Sequence, residues 1–109
     1  MQGDGLPKQY KITVNDEFYD MLDDTLSYYE GIWAESSITN FHSKIWQKVQ
    51  NLATFPNGYR RWRDTKFRYC LVWDYLIFYK VDDAAGRVQV FWLMHAARDL
   101  ESLLKEKEK

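Results

Sequence analysis

The sequence predicts an α+β domain: an N-terminal strand, an αα-hairpin packed on a twisted antiparallel sheet of about four strands, and a short C-terminal helix. Three observations lead there. Two apolar stripes with three- and four-residue spacing lie between Phe18 and Leu52, separated by only a few polar residues. Strand-like runs separated by turn residues follow between Tyr59 and His95. Apolar residues make up 46% of the 109, including five Trp, eight Tyr and six Phe, which is enough for one core and too much for a disordered chain.

A single domain is expected over 8–105. Residues 1–7, with two Gly and a Pro, read as a flexible lead-in, with neither the basic start nor the apolar run of a signal peptide. Tyr10, Ile12 and Val14 alternate with Lys11 and Thr13, which predicts a strand over about 8–14. Asn15 is placed to cap a helix, and Asp16 and Glu17 suit its positive end. From there Phe18, Met21, Leu22, Thr25, Leu26, Tyr29, Ile32 and Trp33 predict one apolar face running for more than four turns. Ser36 or Ser37 can cap a second helix with Ile38, Phe41, Ile45, Val49 and Leu52 as its stripe and Trp46 beside it. So short a link makes the helices antiparallel neighbours.

Phe55-Pro56-Asn57-Gly58 breaks the second helix, because Pro cannot donate a backbone hydrogen bond and Asn-Gly accepts positive φ. Strands are then expected at about 59–63, 66–73, 75–82 and 87–95. In the second of these, Lys66, Arg68 and Cys70 share one face, expected to be partly open, and Phe67, Tyr69, Leu71 and Trp73 share the other. In the last strand Val88 and Val90 differ in parity from Leu93 and His95, so it is either buried on both faces or bulged. Leu100, Leu103 and Leu104 suggest a helix from about Ala97 to Leu104, and 106–109 read as a solvated charged tail.

A formal net charge of −1 gives no whole-molecule attraction to nucleic acid or membrane, so any polyanion site must be local. The candidate is Arg60, Arg61, Arg63, Lys66 and Arg68 beside Asp64, with Tyr59, Trp62 and Tyr69 available to stack on bases. The same residues also suit a solvated sheet edge or a dock for an acidic peptide. Asp16, Glu17, Asp20, Asp23, Asp24 and Glu30 make the first helix acidic, read as a solvated face or a surface for a basic segment, the chain's own basic strands included. His95 ends a strand, where it can act as acid or base, cap the strand or bridge to Asp99; the structural roles are favoured because no nucleophile is placed beside it. His42 is expected to pack against the second helix. Cys70, the sole cysteine, is expected in the core; alone it rules out an internal disulfide and a multi-cysteine zinc site and fits a reducing cytoplasm. No apolar run approaches the roughly 18 residues of a membrane span.

Two segments carry a family likeness. Asp20-Met21-Leu22 through Tyr28-Tyr29 to Ile32-Trp33, then Phe41, Ile45, Val49 and Leu52-Ala53 up to Pro56, resembles the helical pair of ParE toxins. Tyr75 to Asp82, Val88 to Val90, and Leu93-Met94-His95-Ala96-Ala97-Arg98-Asp99-Leu100 resemble their strands and His-x-x-x-Asp ending. Over about Tyr10 to Leu104 the chain therefore resembles the RelE/ParE superfamily and is closer to ParE.

That resemblance implies a small bacterial or archaeal cytoplasmic toxin of a type II, plasmid-stabilisation module, held in a hetero-oligomer by a cognate antitoxin and needing no cofactor or metal. ParE-type members poison DNA gyrase without chemistry of their own, whereas RelE-type members cut mRNA on the ribosome. The long first helix and the absence of any Tyr after Tyr79 favour the ParE reading. In the nuclease alternative the catalytic candidates are Arg60, Arg61, Arg63, Arg68 and His95. In either, Arg60, Arg61, Arg63, Lys66, Arg68 and Arg98 are the expected target- or partner-binding residues. A non-toxic relative that only binds its antitoxin is the third reading.

Overall fold

The computed structural model describes residues 9–108, so the expected lead-in at 1–7 lies outside the described residues. The order is β1 (Lys11–Val14), α1 (Asp16–Tyr29), α2 (Glu35–Asn51), a 3-10 turn (Pro56–Gly58), β2 (Arg68–Val72), β3 (Tyr75–Asp82), β4 (Arg87–His95) and α3 (Leu100–Glu108). The predicted α+β class holds. The sheet runs β1-β4-β3-β2, and its three later strands are antiparallel. The fourth place, expected for 59–63, is taken by β1, which pairs in parallel with β4. Residues 59–63 instead form one isolated bridge, Arg61 to Arg68.

The helices pack on one sheet face because their apolar residues recur with the helical period. Phe18 and Leu22 from α1, Phe41, Ile45 and Val49 from α2 and Leu52 just after it meet Cys70, Val72, Ile77, Tyr79, Val88, Val90 and Leu93. Burying each of the large side chains contributes about 1.5–3 kcal/mol. The stripe of α1 is shorter than its sequence suggests: the helix stops at Tyr29, and Ile32 stands exposed in the connection. Ala34 precedes α2 as its first flanking residue, so neither Ser36 nor Ser37 caps it. Asn15 flanks α1 in extended conformation, but its side-chain oxygen accepts from Gln89 Nε2 at 2.7 Å, not from the helix backbone.

The parity conflict in β4 is resolved in both of the ways foreseen. Phe78 pairs with Trp92 and Tyr79 with Val90, leaving Phe91 as an extra residue in a bulge. The bulge turns Val88, Val90 and Leu93 toward the helices and Trp92 and Met94 toward the opposite face. There Phe67, Leu76, Phe78, Trp92 and Met94 form a second cluster closed by Leu100 and Leu104 of α3. That helix starts at Leu100 rather than Ala97 and continues through Glu108, so much of the expected charged tail is helical.

Two contacts fasten the far ends. Tyr10 Oη donates to Asp83 Oδ1 at 2.6 Å, and Asn57 Nδ2 reaches the same oxygen at 3.0 Å, tying β1 to the β3–β4 turn and the 3-10 turn. Tyr79, wholly buried, donates to the carbonyl of Pro56 at 2.6 Å. Replacing it, Tyr79→Phe, leaves that carbonyl without its donor. Urea unfolding is expected to show a loss of about 1–2 kcal/mol; an unchanged midpoint would exclude this bond as an anchor of the turn.

Candidate functional site

The arginine segment doubles back along the edge of β2. Trp62 N–H donates to the Phe67 carbonyl at 2.7 Å and Tyr69 N–H to the Arg60 carbonyl at 3.1 Å. Arg63, at φ 50°, makes the reversal, and Thr65 Oγ1 closes it on the Trp62 carbonyl at 2.6 Å. Within this fold the predicted cationic set divides. Arg68 donates to the Tyr59 carbonyl, and Arg63 pairs with Glu101 of α3 at 3.5 Å while lying over the Trp62 ring. Arg60, Arg61 and Lys66 are exposed and form no ion pair among the described residues. The face of Lys66, Arg68 and Cys70 is open only at one end: Lys66 is exposed and Arg68 half-buried, while Cys70 and Val72 belong to the main core under α2. The open side chain of β2 is Leu71.

Burial pushes the Cys70 thiol up to about 11, so the sole thiol is not a thiolate near neutrality. His95 stands apart from the arginines. It pairs with Tyr75 and Arg68 pairs with Tyr79, four steps along β3, a separation of about 13 Å at strand spacing. Its Nδ1 accepts from the Ala97 N–H at 3.0 Å, so in the neutral ring the proton is on Nε2. Asp99 does not bridge to it; its carboxylate accepts from Ser102 N–H at 3.2 Å and Ser102 Oγ at 2.9 Å, capping α3, and those bonds hold it below the usual range. His42 is exposed rather than packed, accepting from Trp46 Nε1 at 3.2 Å. The structure thus gives both histidines structural hydrogen bonds and does not bring His95 to Arg68, although Arg98 shares the cleft beside it. Among the described residues no three His, Cys, Asp or Glu converge as metal ligands, and no helix is long and apolar enough to cross a membrane.

Beside His95 a cleft of about 570 Å³ opens between α1 and α3. Leu93 and Met94 contribute apolar lining, Asp24 and Tyr28 come from α1, and Arg98 and Lys107 come from the α3 side. Tyr75 Oη donates to Tyr29 Oη at 3.1 Å at one end, and burial pushes the Tyr75 hydroxyl well above its ordinary range. Sequence reasoning foresaw Arg98 but not this cleft, because α3 was expected to end before Lys107. The acidic face of α1 also has a use in the fold. Glu17 accepts from Trp92 Nε1 at 2.9 Å and pairs with Lys107, so it holds α3 against the sheet.

Comparison with known proteins places these features. A family model described as the ParE toxin of type II toxin-antitoxin system, parDE, matches residues 12–100. A chromosomal ParDE toxin-antitoxin structure from P. aeruginosa superposes with a TM-score of 0.70 at 14% identity, covering 81% of this chain and 97% of that one. The RelBE2 toxin-antitoxin complex of Mycobacterium tuberculosis gives 0.61 at 13% identity, covering 88% and 100%. The archaeal RelE-RelB complex of Pyrococcus horikoshii gives 0.60 at 11%, covering 83% and 98%. No curated protein sequence matches.

The hydrogen bond from Lys107, with help from the Trp92 indole, holds the Glu17 carboxyl below its ordinary 4.5. A lowered folded-state value stabilises the fold above 4.5 and stops doing so as pH falls through the lowered value. Acidification through that window is expected to shift the Trp92 indole N–H resonance as α3 loosens. The acid-linked step should vanish in Glu17→Gln, and its persistence there would assign the step to another carboxylate.

Proposed function

The chain belongs to the ParE toxin family of type II toxin-antitoxin systems, and on that premise we propose that it poisons DNA gyrase by binding and is neutralised by an antitoxin encoded beside it. The family match over nearly all of the domain carries this reading. The site geometry supports binding over RNA cleavage. A metal-independent nuclease needs its base, its acid and its phosphate clamp around one phosphodiester. Here His95 is tied to the strand end, Arg63 to α3 and Arg68 to a backbone carbonyl.

The antitoxin is proposed as a segment that folds as it binds, lying in the cleft between α1 and α3 and reaching the exposed Arg60, Arg61 and Lys66. The match in chemistry is an apolar stripe with acidic side chains facing those cations. Such a segment removes apolar and basic surface from water together and can cover more area than its own length would bury if already folded.

Purified chain added to gyrase with plasmid is expected to accumulate cleavage complexes and to leave a defined mRNA intact on translating ribosomes. Codon-aligned cuts with unaffected gyrase would reverse the assignment in favour of an endoribonuclease, and silence in both would favour a non-toxic antitoxin-binding relative. The double variant Arg60→Glu with Arg61→Glu, at two exposed positions, is expected to weaken antitoxin binding by about tenfold or more while thermal unfolding is unchanged. Equal affinity would remove these arginines from the interface.

A further inference from the structure

At the tip of the helical hairpin an exposed aromatic surface is ringed by carboxylates. Tyr28, Ile32 and Trp73 are 67%, 61% and 45% exposed. They surround Trp33, which stacks on Tyr29 at 3.7 Å between centroids and meets Trp73 edge-on at 5.4 Å. Trp73 occupies the first position of the two-residue β2–β3 turn at φ 53°, a conformation in which glycine is usual. Its contacts with Trp33 and Phe41 hold a bulky ring there and display it to solvent. A bulky residue kept at positive φ on the surface is a reason to ask what that side chain contacts.

The charges carried by the tip's own segments are acidic. Asp24, Glu30, Glu35 and Asp74 are all exposed. Between Lys11 and Lys44 the chain has no Lys or Arg at all. Cations border it at two margins: Arg98 and Lys107 line the cleft with Tyr28, and Lys44 and Lys48 line a hollow with Trp73. A carboxylate ring repels a phosphate backbone, so the occupant is not nucleic acid. An apolar centre with such a rim fits a protein surface that offers an apolar pocket among Lys and Arg. Enzymes that hold DNA present surfaces of this composition, because neutralising phosphates requires clustered cations.

We infer that the hairpin tip docks on a cationic, DNA-handling surface of the target enzyme, with its carboxylates where phosphates would otherwise lie and Ile32 and Trp73 as apolar anchors. This rests on the gyrase reading above. It assigns target contact to the acidic hairpin and leaves Arg60, Arg61 and Lys66 to the antitoxin. An antitoxin in the α1–α3 cleft would cover Tyr28 at the margin of the tip and so block it.

The test is binding of purified gyrase, with and without plasmid, to the immobilised chain and to two double variants, Glu30→Lys with Glu35→Lys and Ile32→Ser with Trp73→Ser. Ile32→Ser alone guards against loss of fold through Trp73, and circular dichroism checks every variant. Binding weakened about tenfold or more in the charge variant and in Ile32→Ser, with wild-type binding that falls steeply as salt is raised, is the expected result. Wild-type-like binding by both folded variants overturns the tip assignment and leaves the gyrase reading standing. No binding by the wild-type chain under either condition overturns both. Tyr19→Ser, exposed elsewhere on α1 beside Trp46, is expected to leave binding unchanged.

Discussion

The central strands β3 and β4 are apolar on both faces, and the rest of the molecule is arranged to keep both faces from water. On one side Ile77, Tyr79, Val88, Val90 and Leu93 require the hairpin. On the other Leu76, Phe78, Trp92 and Met94 require a second cover, which α3 supplies through Leu100 and Leu104. The Phe91 bulge follows from the same constraint, because without an extra residue β4 could not direct both Val90 and Leu93 to the helices while sending Trp92 and Met94 the other way. Polar contacts fasten the margins: Tyr10 with Asp83 ties β1 to the β3–β4 turn, and Glu17 with Lys107 ties α1 to α3.

What the sequence reveals depends on the range of the cause. The stripes of the two helices are legible because burial of Phe41, Ile45, Val49 and Leu52 depends on a local period. The conflict around Phe91 is legible as a change of parity, although parity alone cannot choose between a bulge and two-sided burial. The caps fail because a side chain able to cap can find a better partner elsewhere, as Asn15 does in Gln89. The parallel partner of β1 is not legible at all, since nothing near Lys11 to Val14 points to residues 87–90. The last turns of α3 are hidden for a similar reason: their Lys-Glu pattern has no apolar period, and Lys107 finds its partner ninety residues away in Glu17.

The candidate site was half legible for related reasons. The arginine run is plain in the sequence, but the division of labour within it is set by the Tyr59 carbonyl and Glu101, partners supplied by other parts of the fold. The aromatic tip was hidden because Ile32 and Trp33 read as the end of the α1 stripe, whereas the helix stops at Tyr29 and Trp33 meets Trp73 of the β2–β3 turn. The structure turns an acidic first half and a basic middle into two separate surfaces. Chemically opposite surfaces select different ligands, since one suited to the acidic segment is repelled by the basic one.

The parallel pairing of β1 with β4 has a consequence for the order of events in folding. Lys11 must find Arg87, a separation of 87 − 11, or 76 residues, whereas β3 and β4 join across a short turn. Contacts of such range are slow to form, and they wait for the last strand to be synthesised. Until then β1 has no neighbour, and the hairpin has only part of the sheet to rest on. The sheet therefore closes on a contact that spans most of the chain, and β1 has no place in it until β4 is formed.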